Sequence, residues 1–273
     1  MGALFGSLGA LSIGLSDLFG RRVVLASSAL TATVAMQFVA FLTSLVATLL
    51  DQGAASVADL TIGAVSGIGL GIGLSFYYGG LQRSSAAVVA PLVATLAAVI
   101  PFAVTAITGA PPSAAALVGA AIAVAGLGLI TAGGSASGVR AGLLWGTVSG
   151  LGYGIGTAVL TEVSASAGQW PAVSQRVAAF VLLAAVATGR GRSIVAPAGY
   201  RVAAVLAGAL AGLTTIFIIL GVASDPRATV VTVSMFPAAS VAVGWLVFRD
   251  AVSRLQVVGL VAVLAGVAAV VAG

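Results

Sequence analysis

The sequence contains no cysteine, no histidine and no lysine, and acidic residues are scarce. Without cysteine there is neither a disulfide framework nor a cysteine-ligated metal site. Without histidine, the commonest proton shuttle and metal ligand is missing. Only 6% of the 273 residues are charged, whereas a soluble domain carries about 25%. The sequence therefore predicts a surface that is solvated mostly by lipid, and neither a metal nor a cofactor is expected.

Apolar residues dominate the composition that remains, with 60% hydrophobic residues and a mean hydropathy of +1.23. A helix that crosses the hydrocarbon core of a bilayer needs about 20 apolar residues, and breaks such as GAPPS and TAGGSASG recur at that spacing. The pattern predicts an all-α integral membrane protein with ten transmembrane helices. We place them at about residues 2–20, 28–49, 60–80, 86–107, 113–133, 140–160, 173–188, 201–221, 228–248 and 255–272.

Arginine supplies all eleven basic residues, which give a net charge of +5. Loop arginines that orient membrane helices explain this balance, so no nucleic-acid partner is expected. The loops after odd-numbered spans hold nine arginines and those after even-numbered spans hold two. The nine are Arg21, Arg22, Arg83, Arg140, Arg190, Arg192, Arg201, Arg249 and Arg254, and the two are Arg176 and Arg227. Because positive charge stays cytoplasmic, the count predicts a multi-pass protein of the cell (plasma or inner) membrane with both termini outside the cytoplasm.

The two halves of the sequence are similar at a shift of 140 residues. LFGSLGALSIGL (4–15) then falls on LWGTVSGLGYGI (144–155), and LVGAAIAVAG (117–126) falls on QVVGLVAVLAG (256–266). The shift matches Gly119 to Gly259 and Gly126 to Gly266. Five helices per half is an odd number, so the second half would enter the membrane inverted, as in many secondary transporters. The sequence thus predicts two inverted five-helix repeats, residues 1–135 and 136–273.

Two segments carry a family pattern. SFYYGGLQRSSAAVVAPL (75–92) has an aromatic-rich helix end, a short loop and then a helix of small residues, and Pro237 is followed by Asp250, Gly259 and Gly266. The first segment resembles the join between helices 3 and 4, and the second the end of the second repeat, in the EamA-like family of the drug/metabolite transporter superfamily. The resemblance covers nearly the whole chain in two copies. It implies a carrier, expected to be an exporter, for small metabolites such as amino acids.

The sequence departs from this family pattern at several positions. The family acid is usually glutamate where this sequence has Asp250, and the first-repeat counterpart of Asp250 is the uncharged Ala110. Arg176 fits the basic residue that many members carry in the second helix of a repeat, where the first repeat has Gln37. Many members also have both termini in the cytoplasm. The orientation predicted above follows the arginine count instead.

Glycines recur every four residues in two segments of the sequence. In residues 63–73 they form the series 63, 67, 71 and 69, 73, and in residues 146–156 the series 146, 150, 154 and 152, 156. A spacing of four places each series on one helical face, where a neighbouring backbone can approach closely. A dinucleotide-binding loop would need a strand before the glycines and an acidic residue after them. The pattern therefore predicts tight helix packing.

The candidates for a substrate cavity are polar, aromatic or proline residues within or near the spans. Proline frees a backbone carbonyl inside a helix, which is tolerated beside protein or a watery cavity, although a simple kink explains it equally well. Tyrosine and tryptophan are also common at membrane interfaces, and buried polar groups can be satisfied by a neighbouring helix. The candidates are Gln37, Tyr77, Tyr78, Pro91, Pro101, Trp145, Tyr153, Gln175, Thr232, Ser234, Phe236 and Pro237.

Charged side chains near span ends form a second group of candidates. Asp17 lies about one turn from the predicted end of its span, where we expect it to pair with Arg21, and Arg176 is expected to extend to the interface. With no acid predicted at mid-membrane, proton coupling through a buried acid is not expected, and coupling through Asp17 stays open. Asp250 precedes the last helix, whose free amides and positive dipole end a carboxylate can satisfy.

Three classes of function follow. The leading hypothesis is a secondary carrier of small molecules that works by alternating access between the two repeats. The second is an integral membrane enzyme acting on lipid phosphates, whose chemistry needs clustered acids, arginines or histidines; six scattered acids and no histidine make an enzyme unexpected. The third is a membrane subunit without transport activity. The expected partners are membrane lipids and a small-molecule substrate, for a monomer or homodimer.

Overall fold

The computed structural model describes residues 1–49, 53–108, 113–134 and 136–272. It is 86% helical, and the described residues form no strand. The α-helices are α1 (Gly2–Ala26), α2 (Ala29–Leu49), α3 (Val57–Leu81), α4 (Ala86–Thr108), α5 (Ala114–Ala132), α6 (Ala136–Leu160), α7 (Trp170–Gly189), α8 (Arg201–Ser224), α9 (Pro226–Val233), α10 (Phe236–Phe248) and α11 (Arg254–Ala272). Single 3₁₀ turns, Ala165–Ala167 and Ala198–Tyr200, precede α7 and α8.

Membrane-length apolar helices make up most of this fold. Within the described ranges, nine helical stretches are long and apolar enough to cross a membrane, and a shorter apolar stretch, Ala86–Pro101, lies in α4. The prediction of an all-α chain is therefore confirmed for the described residues, and so is that of many helices long and apolar enough to span a membrane. Most predicted bounds lie within four residues of the observed helix ends, but α1 continues to Ala26, six residues past its predicted end.

The ninth predicted span is two helices instead of one. α9 ends at Val233 and α10 begins at Phe236, with Pro237 in its first turn. Proline has no backbone N–H to donate to the preceding turn and is favoured at the start of a helix. Around the break, the amide of Met235 donates to the carbonyl of Thr232 at 3.2 Å, and that of Ala238 donates to Met235 at 3.0 Å. In α4, by contrast, Pro91 and Pro101 leave the helix continuous.

Helix pairs from the two halves of the chain build the bundle. α3 packs against α6 and α7, while α8 packs against α1 and α2. α4 lies on α6, and α9 and α10 lie on α1. α5 pairs with α11, and α2 also touches α7. Nearly every strong contact therefore joins a helix from the first half to one from the second.

Glycines lie at very close contacts between these helices, as the sequence predicts for residues 63–73 and 146–156. A Cβ on Gly119 would lie 2.6 Å from the carbonyl oxygen of Gly266, and one on Gly126 would lie 2.7 Å from that of Gly259. The pairing runs in opposite directions along α5 and α11, so these helices are antiparallel. A Cβ on Gly69 of α3 would likewise lie 2.6 Å from the carbonyl oxygen of Gly152 in α6. Backbones this close leave no room for a larger side chain.

α4 runs from a packed end of the bundle, where its side chains are buried, to an end where they are more exposed. Its residues 86–95 are all buried, whereas the described side chains from 96 to 107 are half-buried or exposed. At the packed end, the loops after α1, α3 and α10 meet, and Gln82 Nε2 donates to the carbonyl of Val24 at 3.1 Å. This end carries Arg21, Arg83 and Arg249, and we call it the arginine-rich end.

Candidate functional site

A cavity of about 370 Å³ lies between the helices. Every helix except α5 contributes to its lining, which is largely aliphatic and includes Leu70, Leu74 and Val93. The charged residues in the lining are Asp17 and Arg176. The volume falls within the range of small-molecule sites, about 300–1,000 Å³. The cavity is thus an apolar chamber with one acidic and one basic side chain.

Asp17 accepts hydrogen bonds from three hydroxyl groups. Tyr77 donates to Oδ2 at 2.6 Å, Tyr78 donates to Oδ1 at 3.3 Å, and Ser240 donates to Oδ2 over a shorter distance. Asp17 lies on α1 and Ser240 on α10, whereas both tyrosines lie on α3. Only 6% of Asp17 is exposed, so these hydroxyls replace the water that a carboxylate needs. The cluster joins α1 and α10 to α3.

The depth of Asp17 differs from the sequence-based prediction. α1 runs nine residues beyond Asp17, to Ala26, which corresponds to roughly 14 Å. Arg21 bonds Asp250 instead of Asp17. The helix continues through Arg21 and Arg22 because arginine favours helix and because Asp250 neutralises Arg21. The prediction of an acid near a span end, paired with Arg21, was therefore wrong.

Arg176 is buried in the bundle and does not extend to the interface. Its Nη1 donates to Gln37 Oε1 at 2.8 Å, and its Nη2 donates to Thr215 Oγ1 at 3.0 Å and to the carbonyl of Ala211 at 3.2 Å. Gln37 is on α2 and the other two partners are on α8. These acceptors lie inside the bundle and keep the guanidinium there. The prediction that Arg176 extends to the membrane interface was therefore wrong. Arg176 joins α7 to α2 and α8.

Two nitrogens in this arginine–glutamine pair have no hydrogen-bond partner among the described residues. They are Arg176 Nε and Gln37 Nε2, both buried. The orientation of the Gln37 amide is fixed because a guanidinium only donates, so Oε1 faces Arg176. Both residues line the cavity. Unpaired buried donors are rare in folded proteins and require an explanation.

Asp250 forms a junction at the arginine-rich end. Arg21 donates to both of its carboxylate oxygens, at 2.7 and 2.9 Å, and the amide of Ala86 donates to Oδ2 at 3.2 Å. Ala86 is the first residue of α4. The last helix, α11, is instead capped by Ser253, whose Oγ accepts from the amide of Gln256 at 3.2 Å. Asp250 is therefore a helix-start acid for α4, and its predicted role at the last helix was wrong. Its first-repeat counterpart, Ala110, lies outside the described residues.

Six further predicted residues line the cavity together with Asp17 and Arg176. They are Gln37, Tyr77, Tyr78, Tyr153, Ser234 and Phe236. Tyr77 and Tyr78 come from α3, Tyr153 from α6 and Phe236 from the start of α10, so both halves of the chain contribute aromatic side chains. The break between α9 and α10 brings Ser234 into the wall.

The other predicted residues lie elsewhere in the bundle. Gln175 donates to Ser66 Oγ at 2.7 Å between α7 and α3. The Trp145 ring packs against Phe76, with centroids 5.0 Å apart, and lies 4.2 Å from the Arg83 guanidinium carbon. Thr232 donates back to the carbonyl of Ala228 at 2.8 Å. Pro91, Pro101 and Pro237 are absent from the cavity lining; the first two lie inside α4, and Pro237 lies in the first turn of α10.

The sequence analysis did not select Ser240 and Thr215, which complete the Asp17 and Arg176 clusters, and it did not predict that Arg21 pairs with Asp250. A usable signal existed for Thr215, because Thr214 and Thr215 form a polar pair inside an apolar span. Ser240 lies among alanines and valines and carries no comparable signal.

Comparison with known proteins extends the description of the fold. No family model matches the sequence, and no curated protein matches it. A solved structure described as "Crystal structure of protein" matches with a TM-score of 0.66 and 16% sequence identity, over 98% of this chain and 96% of that one. At such an identity the likeness concerns the fold alone. The fold of this chain is thus similar to that of a solved structure over nearly the whole length of both chains.

Proposed function

We propose that the protein is a secondary carrier of small metabolites in the cell membrane, built from two inverted five-helix repeats and working by alternating access. The repeats are residues 1–135 and 136–273, and α9 and α10 together form the ninth of ten spans. Both termini lie outside the cytoplasm in this proposal, which places the arginine-rich end in the cytoplasm.

The helix contacts support the repeat. Exchange α1 with α6, α2 with α7, α3 with α8, α4 with the α9–α10 pair, and α5 with α11. The contact of α3 with α6 then becomes that of α8 with α1, and the contact of α4 with α6 becomes that of α9 and α10 with α1. The glycine contacts behave in the same way: Gly119 with Gly266 becomes Gly259 with Gly126. Such an exchange is expected of a two-fold axis in the membrane plane.

The polar clusters support a moving interface. α1, α2, α8, α9 and α10 form one connected set of helices, and α3, α4, α6 and α7 form another. Asp17 and Ser240 belong to the first set, and Tyr77 and Tyr78 to the second. The bonds of Arg176 also run from one set to the other. Hydrogen bonds that can break and re-form are suited to a rocking contact.

The difference in packing between the two ends supports a one-sided state. Asp250 holds Arg21 of α1 and the amide of Ala86 in α4, which closes the arginine-rich end. An open groove of about 860 Å³ lies outside this junction and is lined by Asp250 and Gln256. At the opposite end, the described side chains in the second half of α4 are half-buried or exposed. This conformation fits a carrier that is closed on the proposed cytoplasmic side.

The observation that carries the proposal is a cavity lined by helices from both halves of the chain, with two buried charges, Asp17 and Arg176. Charged residues within membrane spans are costly and mark pathways for substrates or ions. The proposal is tested with purified protein in liposomes that are loaded with a panel of labelled metabolites, and empty liposomes serve as the control. Substrate-dependent flux is expected. Turnover of a lipid phosphate would favour the membrane enzyme instead, and the absence of both activities would favour a subunit without transport activity.

A further inference from the structure

The unpaired N–H donors of Arg176 and Gln37 lie close enough to donate hydrogen bonds to the same ligand group. Because Arg176 Nη1 bonds Gln37 Oε1 at 2.8 Å, covalent geometry keeps Arg176 Nε and Gln37 Nε2 within roughly 7 Å of each other. A carboxylate that accepts one hydrogen bond on each oxygen covers such a span. Both side chains are at least nine-tenths buried, with exposures of 9% and 0%. The donors are therefore fixed and shielded from bulk water.

Among the residues that the structure describes, no acid forms a salt bridge with Arg176. Its partners are an amide oxygen, a hydroxyl and a backbone carbonyl, all of them neutral. Within the described part of the chain, the one salt bridge joins Arg21 to Asp250. An unpaired cation inside a bundle is unfavourable and attracts an anion. The cavity thus has a place for negative charge.

Asp17 does not offer a comparable place for a cation. Its carboxylate accepts from Tyr77, Tyr78 and Ser240, which already supply hydroxyl donors to both oxygens. A ligand ammonium would have to displace these bonds. The remaining wall is mostly apolar, with Leu70, Val93 and Phe236 among its members, and it favours an apolar ligand body.

We propose that the cavity binds an amphipathic organic anion, whose single carboxylate accepts hydrogen bonds from Arg176 Nε and Gln37 Nε2 and whose apolar body lies against the apolar wall. An α-ammonium group is not required. The assignment rests on the proposed carrier function, because it makes this anion the transported substrate, but the binding itself is measured without transport.

The test uses the purified full chain in detergent and isothermal titration calorimetry. The probes are straight-chain carboxylates from butanoate to octanoate, each compared with the amine and with the 2-amino acid of equal chain length. The carboxylates are expected to bind at least as tightly as the amino acids, and the amines are expected not to bind. Arg176→Gln is expected to weaken carboxylate binding at least about tenfold, since it removes a charge-assisted hydrogen bond, and Gln37→Leu to weaken it severalfold.

Matched variants separate a binding role from a structural one. Ser44 is on the same helix as Gln37 and has a buried hydroxyl without a partner, but it does not line the cavity. Ser44→Ala is therefore expected to leave binding unchanged. Arg176→Lys keeps the charge but loses the planar fork, and we expect binding severalfold weaker than in the unmodified chain even if Arg176→Gln does not fold.

The outcomes distinguish this inference from the carrier proposal. Carboxylate binding that depends on Arg176, without flux in liposomes, would keep the anion site and remove the carrier. Flux of other solutes without any carboxylate binding would remove the anion site and keep the carrier. A marked preference for the amino acids, binding of the amines, or binding that is indifferent to Arg176 and Gln37 would each overturn the inference.

Discussion

The two buried charges of the cavity differ in how completely the protein satisfies them. Asp17 accepts hydrogen bonds from three hydroxyls on two helices. Arg176 has three acceptors but keeps Nε unpaired, and its partner Gln37 keeps Nε2 unpaired. Asp17 is thus the centre of a hydrogen-bonded cluster that holds α1, α3 and α10 together. Arg176 resembles a site that is completed by a ligand.

This difference shows why a buried charge alone does not indicate its role. A charge with a full set of donors stabilises the conformation in which those donors meet. A charged group with unpaired donors favours binding of a ligand that supplies the missing acceptors, and such binding stabilises the folded protein. Substitution of Asp17 should therefore affect stability more than ligand binding, and substitution of Arg176 should affect ligand binding more than stability.

The largest loss of stability is expected for Asp17→Ala. The change leaves Tyr77, Tyr78 and Ser240 without their common acceptor in an apolar setting. We expect the free energy of unfolding to fall by about 3–5 kcal/mol. Thermal unfolding in detergent, followed by tryptophan fluorescence, measures the effect.

The control for this change is Asp225→Ala. Asp225 is exposed and accepts from the amide of Ala228 at 3.0 Å, as a cap at the start of α9. Losing such a cap costs about 1 kcal/mol. If Asp17→Ala is no more destabilising than Asp225→Ala, the Asp17 cluster does not hold the helices together.

Arg176→Met is expected to have a smaller effect on stability but a large effect on function. The change removes a cation that forms no salt bridge with a described acid and fills its space with an apolar chain, so the relief of burial offsets the lost hydrogen bonds. We expect a melting temperature within about 4 °C of the unmodified chain and carboxylate flux at least about tenfold lower. A melting temperature that falls as far as in Asp17→Ala would show that Arg176 is structural.

Ser240→Ala should have the smallest effect of the series. Asp17 keeps its bonds from Tyr77 and Tyr78 when the Ser240 hydroxyl is removed. We expect a loss of about 1 kcal/mol in unfolding free energy and unchanged carboxylate binding. Calorimetry with octanoate checks the second point, and weaker binding would mean that Asp17 and Arg176 act on the same ligand.

The sequence predicted the helices well because apolar length is a local property. The glycine series also located a close contact, since Gly69 of the first series meets Gly152 of the second. The break before Phe236 was missed as a helix end, although Pro237 was identified. Proline within an apolar run permits either a kink or a new helix, and α4 and α10 show both results.

The roles of the charged residues could not be predicted, because they depend on partners that are distant in the sequence. Asp17 and Ser240 are 223 positions apart, and Arg21 and Asp250 are 229 apart. Placing the end of α1 at residue 20 made Asp17 appear close to an interface. Arg176 appeared free to extend outward because its acceptors on α2 and α8 could not be identified before those helices were placed.

Alternating access is tested most directly by chemical labelling from the two sides of the membrane. The chain has no cysteine, so Ala97→Cys introduces a single thiol into the cavity wall. In oriented vesicles, an impermeant maleimide is expected to label it from the face opposite the arginine-rich end. Adding Asp250→Asn weakens the junction with Arg21 and Ala86, and labelling should then shift toward the arginine-rich face. Labelling from neither face, or a pattern that Asp250→Asn leaves unchanged, would contradict the account.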